Sequence, residues 1–89
     1  MNTAILILMI YVSDGDLRNN FIIKNDSIAF YDFQKVSNVS YRIIKESRLY
    51  RIYECEKGLV IRITKDYIYL FDGDKAKRYK IIKIWQFKL

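Results

Sequence analysis

Runs of Ile, Val, Tyr and Phe alternate along this chain with short polar breaks. The breaks fall at Asp14-Gly15-Asp16, Asn25-Asp26, Glu46-Ser47, Glu56-Lys57-Gly58, Lys65-Asp66 and Asp72-Gly73-Asp74. Apolar runs of about five to ten residues bounded in this way mark antiparallel strands joined by tight turns. The pattern predicts eight strands, near residues 3–12, 20–24, 27–33, 39–45, 48–55, 59–64, 67–71 and 78–88. One helical spacing competes, since Phe33, Val36, Val39 and Ile43 recur every three or four residues. The β-branched stretch from 39 to 44 argues for a strand there and leaves at most a turn of helix near 32–37.

The pattern also occurs twice. Ile23, Asp26, Ile28 and Asp32 return as Ile63, Asp66, Ile68 and Asp72, and Tyr41, Ile43, Ile44 and Lys45 return as Tyr79, Ile81, Ile82 and Lys83. A period of about forty residues is that of stacked supersecondary units. The chain therefore reads as one all-β domain, residues 1–89, made of two duplicated four-stranded meanders at approximately 1–47 and 48–89. Eight mainly antiparallel strands in this order predict a small barrel or sandwich, which buries both apolar faces within one chain.

The Asp-x-Ile-x-apolar-aromatic-Asp stretch resembles the third strand of WD-type β-propeller repeats, with Tyr31-Asp32 and Phe71-Asp72 at the Trp-Asp position. That resemblance implies the alternative fold, two propeller-like blades completed by oligomerisation, because a propeller needs at least about four blades. An oligomeric ring of this kind carries a third functional expectation, a lectin-like propeller with aromatics in pockets between blades.

Composition narrows the chemistry. The 89-residue chain has no histidine, one cysteine and three glycines. Without histidine there is no Ser/His/Asp or Cys/His arrangement and the commonest zinc ligand is missing. The glycines stand in separate turns, so no phosphate-cradling loop forms. The two Asp-Gly-Asp segments read as turns, lacking the further oxygen ligands of a calcium loop. Cys55 is expected to be a buried reduced thiol. These features predict no catalytic, cofactor-binding or metal site. The longest apolar run, residues 3–12, falls short of the roughly 20 residues that span a bilayer, and no cation precedes it, so a soluble cytoplasmic protein without membrane contact is expected.

Charge supplies the functional hints. Acidic and basic residues cancel through residue 74, so the net charge of +6 rests on Lys75, Lys77, Arg78, Lys80, Lys83 and Lys88. Along the last strand, strict alternation would set Tyr79, Ile81, Lys83, Trp85 and Phe87 on one face, with Trp85 in the core and Lys83 at a rim. The basic cluster at the strand entrance, Lys75, Lys77, Arg78 and Lys80, is the candidate contact for nucleic acid, and the other reading of these cations is that they guard an edge strand against edge-to-edge pairing. Tyr41, Arg42, Arg48, Tyr50, Arg51 and Tyr53 concentrate hot-spot residue types on one hairpin and form the candidate protein-binding set. The leading expectation is a non-catalytic interaction or inhibitor protein, of a virus or mobile element given the Ile-, Lys- and Asn-rich composition, acting on a host protein or nucleoprotein complex. A nucleic-acid-binding domain is the alternative, and a homodimer is the expected assembly.

Overall fold

The structure is a computed structural model that describes residues 6–15, 17–32 and 35–88. Eight strands follow one another: β1 (Leu6–Asp14), β2 (Leu17–Ile23), β3 (Ser27–Asp32), β4 (Lys35–Glu46), β5 (Tyr50–Cys55), β6 (Leu59–Thr64), β7 (Tyr67–Asp72) and β8 (Lys75–Lys88), with a short 3-10 turn at Glu56–Gly58. Each strand pairs antiparallel with its neighbours in sequence, and β1 pairs with β8, so the sheet closes into a barrel. Full closure gives most strand edges a partner.

Continuity of this ladder decides among the architectures that the sequence allows. β4 bonds to β5 and β8 to β1, so the two halves share one sheet. The molecule is thus a barrel and neither a sandwich nor a pair of blades. The helical spacing around Val36 does not become a helix, because Lys35–Glu46 is strand throughout and Val36 pairs with Tyr31 across the β3–β4 ladder. The stretch proposed as strand at 3–5 lies outside the described residues.

Alternation in the ladders puts one side of every strand in the interior. Ile10, Val12, Phe21, Ile23, Ile28, Phe30, Tyr53, Cys55, Ile61, Ile68, Leu70 and Tyr79 are buried, with Leu8, Val39, Tyr41, Leu59, Ile63 and Ile81 packed against them. Aromatic rings fill the centre: Phe21 stacks on Phe30 at 5.4 Å and meets the edge of Tyr79 at 5.7 Å, while Tyr41 meets the edge of Tyr53 at 5.0 Å. Such contacts each add about 0.5–1.5 kcal/mol to the burial itself. No described polar or charged residue is buried, so the core contains no charge to compensate.

Two β-bulges shape the barrel. On β4, Ile43 pairs with Tyr53 and Lys45 with Ile52, leaving Ile44 as the extra residue. On β8, Ile81 pairs with Val12 and Lys83 with Tyr11, leaving Ile82 as the extra residue. A bulge of this kind reverses the inside-outside assignment of every residue after it. Lys83, Trp85 and Phe87 consequently face out, opposite to the sides that strict alternation gave them. Trp85 is 44% exposed and is not a core residue.

Candidate functional site

The outer wall formed by β5 to β8 is a grid whose rows are set by register. One row runs Tyr50, Thr64, Tyr67, Lys80; the next Ile52, Arg62, Tyr69, Arg78; the third Glu54, Val60, Phe71, Ala76. Tyr67, Tyr69 and Phe71 occupy alternate positions of β7 and so share one face. Their rings follow one another at 6.1 and 6.3 Å, the Tyr69 and Phe71 planes lying 6° from parallel.

Cations are threaded between these rings. The Arg62 guanidinium sits 5.0 Å from the Tyr50 ring and 5.4 Å from that of Tyr69, and Arg78 lies 4.7 Å from the Tyr67 ring. Lys45 also lies 5.4 Å from the Tyr50 ring. Past the β8 bulge the same wall continues with Trp85 stacked on Phe87 at 6.4 Å and Lys83 over Trp85 at 4.2 Å. Within the three rows the one acid is Glu54, which is held by Arg42 through a 2.7 Å ion pair. The β6–β7 turn fixes one end of the grid: the Tyr67 N–H donates to Thr64 Oγ1 at 3.0 Å, and that hydroxyl donates to the Tyr67 carbonyl at 3.1 Å.

The hairpin residues singled out from sequence separate into two environments. Tyr53 is buried and Tyr41 half-buried, with the Tyr41 hydroxyl donating to the Lys24 carbonyl. Burial, followed by the neighbouring Tyr53, raises the Tyr41 pKa above its usual value. These two rings belong to the core, and alternation explains why they could not face a partner together with Tyr50. Arg42 pairs with Glu54, and Arg51 lies 3.1 Å from Glu46 while also bonding to the Tyr53 side chain, which holds its guanidinium charged. Arg48 stands at the hairpin tip beside Leu49, which is 77% exposed.

The basic cluster is divided by the barrel wall. Arg78 and Lys80 face outward on the grid. Lys75 and Lys77 line an open cavity of about 690 Å³ at the mouth formed by the β5–β6 and β7–β8 turns, together with Leu59, Leu70, Phe30 and Lys57. A second groove of about 490 Å³ runs between β1, β2, β3 and β4, lined by Tyr11, Ile22, Ala29 and Val36 among others. Among the described residues no His, Cys, Asp or Glu group is placed to hold a metal ion. Cys55 is buried, and burial with the adjacent Glu56 pushes its thiol pKa up to about 11.

Sequence reasoning missed Arg62, Tyr67, Tyr69 and Phe71 as surface residues. The signal was present as the alternation of Tyr67, Tyr69 and Phe71, with Arg62 across the next turn. Comparison with protein-family models, curated proteins and solved structures gives no match. No helix among the described residues is long and apolar enough to cross a membrane.

Proposed function

We propose that the protein is a non-catalytic binding module that holds single-stranded nucleic acid on the outer wall of β5 to β8. The observation that carries this reading is the alternation of Tyr50, Tyr67, Tyr69 and Phe71 with Arg62, Arg78, Lys45 and Lys80. Rings on a sheet surface stack bases and interleaved cations meet phosphates, the combination that binds single strands without strict sequence preference. The net charge of +6 acts in the same direction by drawing polyanions to the surface.

A second reading has its own observation. The β4–β5 hairpin projects an exposed leucine, Leu49, beside Arg48 at its tip, an apolar anchor with a residue type enriched at hot spots, suited to a host protein or nucleoprotein complex that the protein would block.

Fluorescence anisotropy with labelled single-stranded DNA and RNA tests the first reading, and capture of a host protein on the immobilised chain tests the second. Tyr69→Ala should weaken binding by about 1–3 kcal/mol. Arg62→Ala and Arg78→Ala should each lower the salt slope by about one. Arg48→Ala with Leu49→Ala should leave nucleic-acid binding unchanged. No binding at low salt, or binding indifferent to Tyr69, Arg62 and Arg78, would remove the outer-wall reading. Retention of a host protein that depends on Arg48 and Leu49 would install the second.

A further inference from the structure

Pairing between β7 and β8 stops at Tyr67 and Lys80, with the Ile81 N–H reaching the Asp66 carbonyl, whereas β8 continues beside β1 as far as Leu6 and Lys88. Over residues 82–88 the edge of β8 that faced β7 has no strand partner among the described residues. Apolar side chains stand exposed on both faces of this edge: Ile82 is 55% exposed, Ile84 46%, Trp85 44% and Phe87 43%. Proteins blunt a bare edge with proline, charge or a bulge within it. Residues 82–88 contain no proline, their bulge lies at the start, and of their two lysines Lys83 lies over Trp85 and Lys88 is at the far end, so the stretch between them, Ile84 to Phe87, carries no charge. The first half of the barrel has a comparable bare edge on β4, where exposed Ile43 and Ile44 stand among Arg42, Lys45 and Glu46, so charges of both signs interrupt it.

We infer that β8 is a self-association edge: two copies of the chain pair antiparallel along residues 82–88 about a two-fold axis. The charge pattern of the edge selects a second copy. The two-fold of this segment is centred on Trp85 and sets Lys83 opposite Phe87, Ile84 opposite Gln86 and Ile82 opposite Lys88. In this register the outward Lys83 of one copy meets the Phe87 ring of the other, and no lysine of the segment stands opposite a lysine. The pairing also supplies main-chain partners along a row of bare N–H and C=O groups.

Sedimentation velocity on the full chain tests the inference. The expected result at roughly 100 μM, above the Kd of a micromolar-class interface, is a species of twice the 10.8 kDa chain mass. Trp85→Lys combined with Phe87→Lys should give a monomer with unchanged circular dichroism. In a Cys55→Ser background, Ile84→Cys or Trp85→Cys should cross-link to its own copy through a short bismaleimide, which reads the interface without disturbing both rings. A wild-type chain that stays monomeric, a dimer untouched by the double lysine change in a folded protein, or a dimer that cross-links at neither position would overturn the inference.

Discussion

The β4–β5 hairpin and the β8–β1 ribbon occupy corresponding places in the two halves of the barrel, and their side chains differ where their backbones agree. Arg42 opposite Glu54 corresponds to Lys80 opposite Ser13, Ile43 opposite Tyr53 to Ile81 opposite Val12, and Lys45 opposite Ile52 to Lys83 opposite Tyr11. The extra residue is Ile44 in one and Ile82 in the other. The next rung separates them: Glu46 opposite Arg51 in the hairpin, Ile84 opposite Ile10 in the ribbon. The hairpin is closed covalently by its turn, so its end tolerates exposed charge. The ribbon joins β1 and β8 with no turn between them, and apolar contact has to hold it together.

The largest effect that could break this comparison is at that rung. Ile10 is fully buried, so Ile10→Ala should cost about 2–4 kcal/mol through lost burial and the cavity left behind. Arg51 and Glu46 are about half exposed, and Arg51→Ala should cost under about 1 kcal/mol. Urea unfolding of both variants measures the difference. Equal losses would mean that the two rungs do the same structural work.

How much of this was legible beforehand follows from which interactions are local. The eight strands were visible because alternation and turn chemistry act over a few residues, as at Ile28-Ala29-Phe30 and Asp72-Gly73-Asp74. The echo of Tyr41-Arg42-Ile43-Ile44-Lys45 in Tyr79-Lys80-Ile81-Ile82-Lys83 marked the corresponding segments. It could not show that both carry a bulge, because a bulge is a mismatch with the partner strand. That hidden residue misplaced Trp85. Tyr53 was misjudged for a related reason: tyrosine suits both a half-wet interface and a barrel core, and only closure of the sheet decides.

Protonation should separate the two halves next. Cys55, opposite Tyr41 at the base of the hairpin, titrates in the folded protein at about 11 against an ordinary value of 9.0. The folded state holds this proton longer than the unfolded chain, so the associated stability is complete below pH 9 and is lost as pH rises towards 11. Wild type should lose more stability over that window than Cys55→Ala. Parallel curves for the two proteins would show that the thiol contributes nothing to the pH dependence.

A smaller effect should come from the hydroxyl that ties the hairpin base to the β2–β3 turn. Tyr41→Phe removes the donor to the Lys24 carbonyl while keeping the ring against Tyr53, at a cost of about 0.5–1.5 kcal/mol. Amide exchange should quicken in residues 24–27 while the ribbon is unaffected. Equal quickening in Trp85 and Phe87 would instead couple the two sites.

The smallest expected change is a gain. Between β5 and β6 the chain turns through Lys57 at φ 60 and Gly58 at φ 77, with the Leu59 N–H donating to the Glu56 carbonyl. Both central residues are left-handed, the requirement of the two-residue hairpin turn for which Asn-Gly is the favoured pair. Gly58 meets it without strain, whereas Lys57 carries a Cβ into that region and is the one described non-glycine residue with positive φ. In the β1–β2 turn, the matching connection of the first half, the described positive φ is at Gly15. Lys57→Asn should therefore stabilise the barrel by about 0.5 kcal/mol, because asparagine enters the left-handed region more readily than lysine. Thermal unfolding of Lys57→Asn beside Lys57→Ala makes the test: the asparagine variant should melt above wild type and above alanine. An alanine variant as stable as asparagine would trace the gain to lost charge repulsion at the cavity mouth shared with Lys75 and Lys77, and not to the backbone of the turn.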